Sequence, residues 1–303
     1  MSTTIENAGW PTVGVKLGPE PILVDDARVQ EYLACVNDAT FAGAHADAMA
    51  GHFGFPVAPA TVLDGELGSL IFRKRYGILG DSLHAGQGFR FHRPLRVGAE
   101  YEMSAEVADI YERRGIEYVS VRSWCRDDEG VCLEQHYLKA LHVPKEREGS
   151  GAPAPAMSIA DFVAKHGGRE DAAFPAVGAV VIGGDRVVDE RISLHFSQVK
   201  DTDRPSHENI HTDPEIAKNR GFGSPIIKGL LATVSEGVLY RELFGADWYT
   251  RGHLSTKYVR PIPVGVQLKA VGVVVESSDA KILLKSAVAG NGTIVAVGEA
   301  GVE

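Results

Sequence analysis

The sequence predicts an α+β fold present twice in one chain. Three observations carry this. At 303 residues the chain is about twice the usual single-domain length. A stretch with linker composition, EREGSGAPAPAM at 146–157, sits almost at its midpoint. Finally, the chain resembles itself at a constant offset of 167 residues. That offset places Gly54-Phe55 on Gly221-Phe222, Leu63 on Leu230, Arg93-Pro94 on Arg260-Pro261 and Val97-Gly98 on Val264-Gly265, with no gap required. Phe91, Leu95 and Tyr101 meet Tyr258, Ile262 and Leu268, so apolar character is kept between the identities. The expected organisation is a first domain over 1–148, a linker over 149–175 and a second domain over 176–303.

In each half an apolar helical stretch follows the shared Gly-Phe. The first carries Val62, Leu63, Leu67, Leu70 and Ile71; the second carries Ile227, Leu230, Leu231, Val234, Val238 and Leu239. The spacing predicts helices with one wide face buried on a sheet. Gly65, Gly68, Gly229 and Gly237 interrupt them, each about 1 kcal/mol worse than Ala in a helix, which points to close packing or a backbone approached by a ligand. Strands follow. In the first half they run through GFRFHRPLRVG, AEYEMSAEVADIYE, IEYVSVRSWC and VCLEQHYLKALHV, with a turn at 127–130. In the second they run through TKYVRPIPVG, VQLKAVGVVVE, KILLKSAVA and TIVAVGEAGV, the last two separated by Asn291-Gly292. Asn-Gly between apolar runs is a strong hairpin signal.

Composition narrows the function. The net charge of −9 with no long basic run argues against nucleic-acid and anionic-lipid partners. Three cysteines, Cys35, Cys125 and Cys132, are too few and too scattered for a disulfide scaffold or a metal site, and suit a reducing compartment. The first residues show neither a basic start nor an apolar core, and no apolar run reaches 18 residues. A soluble cytoplasmic protein is expected.

The chemically informative segment is Ile210-His211-Thr212-Asp213-Pro214-Glu215-Ile216-Ala217, followed by Gly221-Phe222, Pro225-Ile226 and Gly229. His211 and Gly229 lie 18 residues apart. This segment resembles the motif of the MaoC-like (R)-specific enoyl-CoA hydratases, and KYVRPIPVG and the closing VGEA resemble that family too. The resemblance covers essentially all of the second half. The first half is similar to the degenerate N-terminal domain of double hot-dog members, in which a long helix is wrapped by an antiparallel sheet and room is made for the acyl tail.

The resemblance implies hydration of a 2-enoyl-CoA to a 3-hydroxyacyl-CoA, or the reverse, with (R) stereochemistry and no cofactor or metal. Such chemistry deprotonates water as it attacks C3, delivers a proton to C2 and stabilises charge on the thioester oxygen. A carboxylate and an imidazole serve the first two needs; a backbone N–H at a helix start serves the third. Carried over residue by residue, His211 is the catalytic histidine and Gly229 the oxyanion donor. Pro225, Ile226, Lys228 and Arg260 become candidate substrate contacts, with Lys228 able to meet a phosphate. Asp213 before Pro214 reads instead as a helix N-cap. The expected partner is an acyl-CoA or acyl-carrier thioester, with a homodimer left open.

The family aspartate lies five residues before the histidine, where this chain has Ser206. The segment from Phe196 to His211 is about four residues longer than in typical members, so Asp201 or Asp203, with Glu208 third, is expected to supply the carboxylate. Two other functions stay open: a non-catalytic hot-dog partner subunit, and a hot-dog thioesterase using Glu236, Asp64 or Glu66. In the first half, the counterpart of the motif loop is Val36-Asn37-Asp38-Ala39, and no His-x-Asp-Pro follows. His45, Asp47 and His52 match no site, and His84, His92, His136 and His142 read as structural or surface residues.

Overall fold

The computed structural model describes residues 10–72, 82–141, 156–200 and 209–303. Its first half contains β1 (Lys16–Val24), α1 (Asp26–Val36), α2 (Ala44–Phe53), α3 (Asp64–Ile71), β2 (Leu83–Phe91), β3 (Ala99–Arg113), β4 (Ile116–Asp127) and β5 (Gly130–Leu141). A short helix, α4 (Ile159–Lys165), precedes the second half. That half comprises β6 (Val180–Ile182), β7 (Arg186–Val187), α5 (Glu190–Lys200), α6 (Pro214–Asn219), α7 (Gly229–Phe244), α8 (Ala246–Arg251), β8 (Gly252–Tyr258), β9 (Gln267–Ser277), β10 (Ile282–Gly290) and β11 (Thr293–Val302). The strands form one antiparallel sheet in the order β1-β3-β4-β5-β2-β8-β11-β10-β9-β6, with β7 also on β9. The two halves meet where β2 pairs with β8, from Gly86 opposite Lys257 to Arg90 opposite His253.

The duplication reaches down to single hydrogen bonds. Gly98 N–H donates to Val24 O (2.7 Å) and Gly265 N–H to Val188 O (2.8 Å). Asp25 caps α1 through Arg28 N–H (2.9 Å), and Asp189 accepts Ile192 N–H at the start of α5 (2.7 Å). Gly54, Gly98, Gly221 and Gly265 all have positive φ, 78°, 87°, 84° and 86°, which only glycine adopts readily. The offset is nevertheless not gapless. Pro56 O accepts Val97 N–H, and Pro225 O accepts Val264 N–H, so the equivalent prolines stand two residues further apart than the flanking glycines require. Gly223 and Ser224 are the insertion.

Both hairpin turns form as the sequence predicts. β4 ends at Asp127 and β5 begins at Gly130, while Asn291 and Gly292 have φ 47° and 82°, the paired positive values of a type I′ turn. The expectation of one buried face fails for α7: Leu230 through Glu236 are all buried, as in a helix enclosed on every side. β3 alternates, with Tyr101, Met103, Ala105 and Val107 inward, whereas β9 is buried almost continuously from Leu268 to Val274. The difference is α4. Phe162 packs with Val271, Val273, Ala287, Ala289 and Ile294, covering the outer face of the second-half sheet. The stretch expected to be linker thus contains a helix, stopped at its N-terminus by a Ser158–Asp161 capping box. β1, β6 and β7 are further elements that the sequence reading does not contain. Cys35, Cys125 and Cys132 are buried free thiols. No helix among the described residues is long and apolar enough to cross a membrane.

Among the polar groups buried in this core are two charged side chains of α7. Arg241 of α7 donates to Asp38 of the first half (2.5 and 3.3 Å) and to Thr40, and its guanidinium sits 5.3 Å from the Phe41 ring centroid. Glu236, also on α7, accepts from Thr256 Oγ1 and Ser286 Oγ, both at 2.6 Å. Burial pushes its carboxyl up to about 7, against the opposing pull of those two hydroxyls.

Asp38→Ala would strand a buried cation and should lower stability by about 3–5 kcal/mol; adding Arg241→Leu should recover much of that loss in urea unfolding. Glu236 titrates with the opposite sign to most carboxylates. Its folded pKa is raised, so its contribution is fully present below about pH 4.5 and lost as pH rises through about 7. The stability difference between wild type and Glu236→Gln should therefore fall between those values by up to about 1.4 kcal/mol per pH unit; a flat difference would contradict the assignment.

Candidate active site

The motif segment folds into a tight loop and a short helix. Asp213 is the N-cap of α6, accepting from Glu215 N–H (2.8 Å) and Ile216 N–H (2.9 Å), with Pro214 in the first turn. Asn209 organises the loop before it. Its side-chain oxygen accepts His211 N–H (2.8 Å), and its backbone oxygen accepts Thr212 and Asp213 N–H (3.1 and 2.9 Å). Ser193 Oγ of α5 donates to His211 O (3.1 Å).

The His211 ring is then oriented by one bond. Nδ1 lies 2.7 Å from Ile226 O. A carbonyl oxygen can only accept, so Nδ1 carries the proton and Nε2 keeps the lone pair in the neutral ring. Ile226 is held in turn. Its N–H donates to Ile210 O (3.1 Å), Ile227 N–H donates to Ile262 O (2.8 Å), and Pro225 O accepts Val264 N–H (3.0 Å). Pro225 and Ile226 thereby tie the histidine loop to the β8–β9 connection. Below them Ala217, Phe222 and Ile226 pack with Ile210 and, from the first half, Leu83.

Three residues beyond Ile226, α7 begins. Lys228 is its N-cap, extended and without a side-chain capping bond, and Gly229 is the first helical residue. First-turn amides have no intrahelical acceptor, so the Gly229 N–H stands at the positive end of the helix. A Cβ on Gly229 would lie 2.5 Å from the Tyr258 ring, so glycine is required here by an aromatic neighbour. Tyr258 shares a 2.8 Å hydrogen bond with Thr233. Lys228 Nζ sits 5.5 Å from the Phe196 ring centroid. Arg260 is half-buried, and its N–H donates to Val295 O (3.2 Å). His211, Gly229, Lys228, Pro225 and Ile226 are thus gathered at the entry to one helix. Asp201, Asp203, Ser206 and Glu208 lie outside the described residues.

His84, read from the sequence as structural or surface, proves to be a buried ring whose placement the sequence does not reveal. A register shift between His84 and Gly86 on β2 breaks the alternation that would put His84 on the same face as Gly86 and Gly88. The ring turns inward, stacks on Tyr137 (centroids 4.0 Å, interplanar 12°) and meets Tyr258 edge-on (5.0 Å, 70°). Its Nε2 donates to Gly86 O (3.0 Å). Burial lowers its pKa to about 3, and the nearby Lys139, Lys228 and His211 act in the same direction. No local sequence signal reveals this, because a bulge is a property of the pairing.

In the first half, the loop equivalent to the motif loop carries the Asp38–Arg241 pair. His45 Nε2 lies 3.0 Å from Tyr249 Oη, the His52 ring packs edge-on against Phe53, and Glu66 pairs with Arg28 (2.6 Å). Among the described residues, no group of three or more His, Cys, Asp or Glu side chains is placed to hold a metal ion.

Residues 11–135 match the family model described as FAS1-like, dehydratase domain region. That match falls on the half without the histidine motif. No curated protein sequence matches the chain. Among solved structures, a MaoC-like dehydratase aligns over 96% of this chain and 98% of its own with TM-score 0.73 and 17% identity. A MaoC-like dehydratase from Phytophthora capsici gives TM-score 0.64 at 16% identity, covering 95% of each chain. A Mycobacterium tuberculosis protein described as having a double hotdog fold gives TM-score 0.57 at 15% identity, covering 96% of each. The chain therefore has the double hot-dog fold that it shares with MaoC-like dehydratases, and residues 11–135 of its first half are similar to a FAS1-like dehydratase region.

Proposed function

We propose that the protein hydrates 2-enoyl thioesters of CoA or an acyl carrier to 3-hydroxyacyl thioesters, or runs the reverse dehydration. The observation that carries this is the locked tautomer of His211. With Nδ1–H held by Ile226 O, Nε2 is the nitrogen that exchanges protons, close to where α7 begins. In the hydration direction, a base at this site takes a proton from water as the oxygen bonds to C3. The C2–C3 π electrons move toward the thioester, and the enolate oxygen receives the Gly229 N–H. C2 then takes a proton from the site's acid, and the thioester carbonyl re-forms. The second acid/base group is assigned to the segment containing Asp201 and Asp203, with Glu208 third. Lys228, Arg260, Pro225 and Ile226 are assigned to the thioester's surroundings.

The thioesterase alternative needs a helix carboxylate facing the thioester. Glu236 is fully buried and held by Thr256 and Ser286, and Glu66 is paired with Arg28. Both observations weigh against a thioesterase built on Glu236 or Glu66, and Asp64, buried at the start of α3, is the carboxylate left to that reading. The non-catalytic alternative is separated by assay.

With crotonyl-CoA, the enoyl absorbance should disappear without release of free thiol; thiol release would indicate a thioesterase. His211→Ala should lower kcat by about 10²–10⁴-fold with the fold retained, and an unchanged rate in a folded variant would remove His211 from the mechanism. Among Asp201→Asn, Asp203→Asn and Glu208→Gln, one should lose activity nearly as severely as His211→Ala. If all three keep wild-type rates, the carboxylate comes from elsewhere. An absence of turnover on every enoyl thioester would favour the partner-subunit reading.

A further inference from the structure

Three adjacent strands, β5, β2 and β8, each send one ring into the space between α3 and α7: Tyr137, His84 and Tyr258. The rings form a continuous row, with centroid separations of 4.0 Å and 5.0 Å. Both ends of the row press into helix backbone. A Cβ on Gly229 of α7 would stand 2.5 Å from Tyr258, and a Cβ on Gly68 of α3 would stand 2.6 Å from Tyr137. The row thus reaches from the helix start of the second half to the helix of the first, across the seam that joins them. We propose that the Tyr137–His84–Tyr258 row is the end wall of the acyl pocket and confines the enzyme to short-chain enoyl thioesters. This rests on the hydratase reading, with the thioester carbonyl at Gly229.

The argument is steric. A methylene chain passing between two rings needs carbon contacts of roughly 3.5–4.0 Å on each side, or about 7–8 Å between the flanking groups. Neither ring pair leaves that gap. Nor is the row loose. Tyr258 Oη is tied to Thr233 Oγ1 (2.8 Å), and the His84 Nε2–H is tied to Gly86 O (3.0 Å). Phe72 extends the wall beyond Tyr137, its ring centroid 6.1 Å away, with Lys139 Nζ 4.6 Å from the Phe72 centroid. Because His84 stays uncharged until about pH 3, the wall presents an uncharged ring to an acyl group at any working pH. The room for an acyl tail that the family resemblance implies in the first half is thus closed along this seam.

Chain-length kinetics test the wall. For wild type, kcat/KM should fall by at least about tenfold from crotonyl-CoA to dodec-2-enoyl-CoA, as expected when added methylenes find no pocket. Tyr137→Ala should raise the dodecenoyl-to-crotonyl ratio by at least about tenfold, and Tyr137→Leu should raise it by less. Tyr137→Phe keeps the ring and should keep the wild-type ratio. Equal or better turnover of the long thioester by wild type overturns the proposal, as does a ratio unmoved in a folded Tyr137→Ala or Tyr137→Leu variant. If no thioester is turned over, the hydratase reading fails, and calorimetric binding of butyryl-CoA against dodecanoyl-CoA reads the wall by itself. Butyryl-CoA should bind more tightly, and the reverse order would overturn it.

Discussion

The pairing of β2 with β8 is the contact on which the remaining architecture depends. Over five residue pairs it merges the two half-sheets into one. Its closeness is visible at Gly86 and Gly88, where a Cβ would stand 2.7 Å from Thr256 O and 3.2 Å from Leu254 O. Because these strands run side by side, Leu83 reaches the apolar base beneath the His211 loop and His84 reaches Tyr258. Neither half could furnish those neighbours alone. The candidate site belongs to the second half by motif and to both halves by packing.

Much of this was legible in the sequence, for identifiable reasons. The Asp213 cap and the Asn291-Gly292 turn are set by local backbone sterics, so they can be read one residue at a time. The duplication was legible because Gly98 and Gly265 each close the same hydrogen bond onto a preceding strand or its counterpart. Asp213 announced itself by standing before a proline. What escaped was whatever depends on partners distant in sequence. The enclosure of α7 comes from surfaces on all sides of it, the covering of β9 comes from α4, and the inward turn of His84 comes from a bulge. The two-residue insertion at Gly223-Ser224 escaped because Leu63 and Leu230 happen to agree at the gapless offset.

The halves have diverged in how they use the same loop. In the second, Asn209, Ser193 and Ile226 fix His211 with one nitrogen donating and the other able to take a proton. In the first, Asp38 stands on the equivalent loop but is neutralised by Arg241, which comes from the opposite half. The pair is buried, so its strength lies less in net stabilisation than in the penalty for separating it. It makes the first half's loop part of the joint between the halves.

The seam also sets an order of events during synthesis. β2 is made early, while β8 lies far downstream in the chain, and closing so long a loop is an entropic burden met before any seam contact forms. Until β8 emerges, β2 offers an unpaired backbone edge on that side, in a stretch where Gly86 and Gly88 provide no bulky side chains to shield it. Such an edge accepts any strand of suitable register. Two nascent chains held close together would present each other with the right one, so the fusion that creates a single continuous sheet also creates the opening for exchange of halves between molecules.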